Sequence, residues 1–193
     1  METQKSPNCR RAGLDLGFSD EEKEKLRELA FHAIRSRCLG IEMPDIEIDS
    51  PRLKEPGAAF VCIHKGGDLR GCIGMIEARA PLWETVRRMA VEAAVGDPRF
   101  CAVTADELEE IDIEISVLTP LLRISDPSEI EIGKHGLLIR KGIASGLLLP
   151  QVATDHNLDR EQFLKLTCRK AGLPEKAWKN RDTEIYVFSA DVF

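Results

Sequence analysis

The sequence lacks most of the features that announce a function directly. Its longest apolar stretch is broken by Arg, Lys and Gly well short of the about 18–20 residues a transmembrane helix needs, so no membrane span is expected. The opening residues, METQKSPNCRRAGLDLG, show no basic segment leading into an apolar one, and no Sec-type signal is expected. The phosphate-cradling patterns GxGxxG and GxxxxGK[ST] are missing, which removes support for a nucleotide-binding fold. Basic residues are also in deficit, with 27 Lys+Arg against 33 Asp+Glu and a formal charge of −6. Pairs such as Arg87-Arg88 and Arg140-Lys141 are short and embedded among acids, so a nucleic-acid partner is disfavoured.

Cysteine spacing excludes more. Cys9, Cys38, Cys62, Cys72, Cys101 and Cys168 contain no C-x-x-C, which argues against a zinc site and a radical-SAM cluster. Free thiols in a reducing cytoplasm are the default for such a chain. The histidines His32, His64, His135 and His156 lie far apart, and no metal or other cofactor is expected to be held by the chain alone.

What is present is an ordinary globular pattern. Residues 1–18 read as a loosely ordered tail. Ser19 and Glu22 form a capping box for a helix that runs to about Cys38, with Leu26, Leu29, Ala30, Ala33 and Ile34 on one face. Phe60–His64 and Leu69–Ile76, separated by Gly66-Gly67, read as a hairpin. A second helix follows Pro81 and stops at Gly96-Asp97-Pro98. Thr104 and Glu107 cap a short helix, and Ile111, Ile113, Ile115 and Val117 alternate with polar residues as a strand.

Farther along, Ile130–Ile132, Leu137–Arg140 and Leu147–Val152 read as short strands, with Pro150 marking an edge or a kink. Asp159 and Gln162 start the last helix, which ends at Ala171-Gly172-Leu173, and Glu184–Ala190 is a final strand. An antiparallel hairpin among interspersed helices implies an α+β fold, with mainly antiparallel sheets covered by helices.

Leu69-Arg70-Gly71-Cys72-Ile73-Gly74 is the segment that asks for an explanation. Two glycines weaken a strand and mark a place where a ligand or another backbone comes close. Arg70 and Cys72 are two apart and share a strand face. A guanidinium beside a thiol favours thiolate, the form a nucleophile needs, while the same Arg can hold an anionic small molecule. A cysteine in a strand also serves as a small buried hydrophobe. A two-residue Gly66-Gly67 turn sets Val61 against Cys72; a three-residue loop sets Cys62 against Cys72, and the pattern does not choose. Glu114, on the polar face of its strand, is a candidate for moving protons. Gly71, Gly74, Asp97, Arg99 and Gln151 are candidates for substrate contact.

These segments resemble the AMMECR family, also described as AmmeMemoRadiSam system protein A. The resemblance rests on Phe60-Val61, the hexapeptide, Asp97-Pro98-Arg99-Phe100 and Glu114-Ile115-Ser116-Val117-Leu118. It continues through Gly133 with His135-Gly136, Leu149-Pro150-Gln151-Val152, and Lys170-Ala171-Gly172-Leu173 with Trp178. It implies two subdomains with a cleft between them and the hexapeptide near it: a larger one of about 19–130 plus 182–193, and a smaller one of about 131–181. It also implies association with Memo-like and radical-SAM proteins, and it implies no particular reaction. On this reading the chain is an enzyme or enzyme component acting through Cys72, Arg70 and Glu114, or a non-catalytic binding partner.

Overall fold

The first helix holds twenty residues because its ends are closed locally. The computed structural model describes residues 13–193, so most of the expected tail, with Cys9, lies outside the described residues. Helix α1 spans Asp20–Leu39; Ser19 and Glu22 form the expected capping box, and Gly40 takes a left-handed φ of 64° at the other end. Strands β1 (Ala58–Lys65) and β2 (Asp68–Met75) make the hairpin, followed by α2 (Leu82–Val95) and β3 (Ile111–Leu118). Then come β4 (Leu122–Ile124), β5 (Gly136–Lys141), β6 (Ala144–Leu148), α3 (Pro150–Asp155), α4 (Arg160–Lys170), β7 (Glu184–Phe188) and β8 (Ala190–Val192). The fold is α+β, with two four-stranded sheets ordered β2-β1-β3-β8 and β4-β7-β5-β6. No helix among the described residues is long and apolar enough to cross a membrane.

The chain divides into two compact units, one of residues 15–122 with 188–193, the other chiefly of residues 123–187. In the first, α1 and α2 cover one face of the β2-β1-β3-β8 sheet. Leu26, Ala30 and Ile34 of α1 and Val86, Ala90 and Ala93 of α2 pack against Val61, Ile63 and Ile115. In the second, Phe163, Leu164 and Cys168 of α4 pack on Leu137, Ile139 and Val187. Helix α4 carries the Asp159–Gln162 capping box. It ends in a Schellman arrangement, with Leu173 N–H donating to the Cys168 carbonyl at 2.9 Å and Gly172 N–H to that of Arg169 at 3.0 Å.

One expected strand is a strand only in its first residues, and another is not a strand. Leu147–Val152 splits into β6 and α3, with Pro150 at the helix start, where a missing N–H costs nothing. Ile130–Ile132 forms no ladder: Ile130 ends a single 3-10 turn that Asp126 caps, and Glu131–His135 is a turn. Apolar content alone does not separate a strand from a buried turn of this length.

The hairpin register combines both alternatives. Lys65 faces Asp68 across a two-residue Gly66-Gly67 turn and His64 faces Leu69, yet Ile63 faces Gly71 and Cys62 faces Cys72. Arg70 is therefore a bulge residue, one extra on β2, which shifts the register between the turn and the cysteines. Gly71 lies on the helix-covered face, and a Cβ there would sit 2.1 Å from the Ala93 carbonyl oxygen of α2. On the opposite face, a Cβ at Gly74 would sit 2.1 Å from the Phe60 ring, which lies where a side chain would be. The glycines exist for helix–sheet and ring–strand contact. Gly71→Ala is expected to cost about 3 kcal/mol or more, at the upper end of overpacking penalties because the obstacle is backbone; urea unfolding measures it.

Candidate functional site

β2 is the outermost strand of its sheet, so half of its backbone groups face away from β1. Cys62 and Cys72 stand directly opposite with Cα atoms 4.1 Å apart, the spacing of a pair that exchanges no ladder hydrogen bonds. The N–H and C=O of Cys72 therefore point out of the sheet edge. Asp97 and Arg99, just after α2, meet both. Cys72 N–H donates to Asp97 Oδ2 at 2.9 Å, and Arg99 Nη2 donates to the Cys72 carbonyl at 3.3 Å.

The two side chains also grip each other, Arg99 Nε to Asp97 Oδ1 at 2.9 Å and Nη2 to Oδ2 at 2.7 Å. Asp97 is only 4% exposed, and Arg99 holds its carboxyl well below the usual carboxylate range against the opposing effect of burial, with the Cys72 N–H adding to it. Together the pair closes an edge that would otherwise be open to pairing with another strand.

Arg70 is equally committed, but elsewhere. Its Nε and Nη2 donate to the two oxygens of Glu107 at 3.0 and 2.9 Å. Its Nη1 reaches the Cys101 carbonyl at 2.7 Å, and Nη2 also reaches that of Ala102 at 3.1 Å. The bulge breaks the period-2 alternation, so Arg70 serves the segment after α2, and Asp97 is held by Arg99 instead. Glu107 is the residue the sequence reading missed as a partner, having been read only as a cap. It performs both tasks: Oε2 accepts from Thr104 N–H at 3.0 Å while Arg70 holds the carboxylate. Those bonds, the Arg70 one first, hold the Glu107 carboxyl down to about 2.

The expectation of free thiols throughout is corrected at two positions. Cys62 and Cys72 are joined in a disulfide; Cys38, Cys101 and Cys168 are free. The bulge is the reason, since without it Val61 would stand opposite Cys72. In this state Cys72 is not a thiolate. On the other side of Cys62, β3 sets Glu114 opposite it, so Cys72, Cys62 and Glu114 form one row across three strands on the face away from α1 and α2. Gln151 lies on α3 in the other unit.

Residues 27–193 match the family model described as AMMECR1. The chain belongs to the AMMECR1 family. A Methanothermobacter thermautotrophicus AMMECR1 relative is 41% identical over 183 residues, covering 91% of this chain and 95% of that protein. One from Methanopyrus kandleri is 45% identical over 182 residues, covering 90% and 88%. The crystal structure of the uncharacterized protein PH0010 from Pyrococcus horikoshii matches with a TM-score of 0.86 at 39% identity, over 91% of this chain and 92% of that one. Its likeness carries the AMMECR1 fold without a reaction attached.

The two depressed carboxyls make acid stability testable. A folded-state pKa below the unfolded value contributes stability that is whole above the unfolded value, near 4.5 for Glu107, and is lost as pH falls toward about 2. Glu107→Gln is expected to cost about 2 kcal/mol at pH 7, the scale of a charge-assisted hydrogen bond, and to flatten the stability profile between these limits. Denaturant melts at pH 7, 4 and 3 measure both effects.

Proposed function

We propose that the chain is a redox component of an enzyme system, with the Cys62–Cys72 pair as the group that reacts. The observation carrying this reading is the disulfide between the outermost strand and its neighbour, with Cys62 buried at 7% exposure and Cys72 partly exposed. In a reducing compartment, which the cysteine usage leads us to expect, a disulfide is transient and catalytic or sensing rather than structural.

The exchange follows from accessibility. A thiolate of a partner dithiol attacks Sγ of Cys72; the S–S bond breaks, and its electron pair leaves on Sγ of Cys62, which takes up a proton. The partner's second thiolate then attacks the mixed disulfide and releases Cys72, which is protonated in turn. This chain gains two electrons and two protons, and the partner is oxidised to its own disulfide. Glu114, next to Cys62 in the row, is the group we assign to handling the proton on Cys62. The Memo-like and radical-SAM proteins named by the family resemblance are the first places to seek that partner.

A second reading, a non-catalytic binding partner, is favoured by one observation. Arg70, Asp97 and Arg99 spend their polar groups inside the protein, which makes them supports of a stiff sheet edge rather than substrate ligands. The readings separate on Cys72→Ser: it abolishes the redox role and leaves a purely scaffolding role intact.

The experiment is differential alkylation with peptide mass spectrometry across thiol–disulfide buffers. Cys62 and Cys72 are expected to be protected together without reductant and released together as one two-electron couple, and in Cys62→Ser Cys72 should be found alkylated or as a mixed disulfide with the buffer thiol, never protected in an internal bond. Alkylation of both cysteines in native protein already treated with oxidised glutathione would sink the redox reading.

A further inference from the structure

A separate pocket in the unit of residues 123–187 has a composition that no residue discussed so far explains. It measures about 480 Å³, within the about 300–1,000 Å³ typical of ligand sites. Its charged lining residues are Arg123, Lys179 and Arg181, all cationic, with Asn180, Thr183 and Trp178 among the others. One carboxylate attends them: Glu184 lies 3.1 Å from Arg123. Lys179 sits over the Trp178 ring at 4.8 Å from its centroid, and the neighbouring acid Asp182 is taken by Lys141 at 3.1 Å. Among the described residues, no carboxylate lies within ion-pair distance of Arg181.

Trp178 supplies an independent sign. Its indole N–H is buried and finds no acceptor in the protein, a cost of about 1–3 kcal/mol in a folded chain. An indole nitrogen is a donor only, so what it lacks is an oxygen. The wall thus combines three guanidinium or ammonium groups with the Trp178 side chain, while Glu184, outside the lining, offsets one of those charges at Arg123. We propose that this pocket binds the phosphate group of a small molecule. Three positive charges less one negative leave two, the charge of a phosphate ester near neutral pH, and forked Arg donors match its oxygens.

Nuclear magnetic resonance tests this on the whole chain, because its two tryptophans, Trp83 and Trp178, give two indole N–H signals. Titration with inorganic phosphate should shift the Trp178 signal saturably and leave Trp83 in place, with binding weakened by added salt. The double variant Lys179→Ser with Arg181→Ser, both exposed positions, should raise the dissociation constant at least tenfold while the melting temperature holds. Acetate at matched ionic strength should produce no shift. A Trp178 signal that stays still at tens of millimolar phosphate overturns the proposal, as does an equal response to acetate or an affinity unchanged in the double variant. None of these outcomes depends on the state of Cys62 and Cys72.

Discussion

The Ala93 carbonyl of α2 occupies the space a side chain at position 71 would need, and the geometry of the sheet edge follows from that contact. Only glycine lets a helix backbone come so near a strand, and the small residues Ala90, Ala93 and Ala94 along α2 let it lie flat there. With α2 seated at this distance, the chain leaving its end at Gly96 is in position to bring Asp97 and Arg99 to the open side of Cys72. The same contact fixes Gly71 on the covered face. Arg70 then has to leave the ladder as a bulge if the Gly66-Gly67 turn is to stay tight.

Local chemistry was legible in the sequence and register was not. The capping boxes at Ser19, Thr104 and Asp159 all form, because each is decided within four residues. The hairpin was legible as a hairpin, but the pairing of its cysteines hinges on one inserted residue whose cause is a contact with α2, outside the hairpin itself. Pro150 reads equally as the edge of a strand or the first residue of a helix, and only the core packing of Ala153 behind it decides. Glu107 hid as the bond partner of Arg70 because a carboxylate has two oxygens and the capping pattern accounts for its usual use.

The charged residues around the hexapeptide look like catalytic machinery in a linear sequence and act as joinery in the fold. Arg70 fastens the segment 101–107, and Asp97 with Arg99 completes the hydrogen bonding of an outer strand. Arginine suits both positions, since its planar fork satisfies carbonyls and carboxylates at once where lysine offers a single point charge. The chemical variability left over resides in sulfur, in the row that runs from Cys72 through Cys62 to Glu114.

The interleaving of the two units has a consequence for synthesis. Residues 123–187 of the second unit are spelled out between the long and the short segment of the first, so β8, the fourth strand of the first sheet, is translated only after them. At about 5–20 residues per second the ribosome spends several seconds on that interval. Through it, β3 has an unfilled neighbour position beside residues 116–118, where Val192, Asp191 and Ala190 will finally pair. A nascent chain with a waiting strand edge is one that a chaperone, or another nascent copy, has time to find.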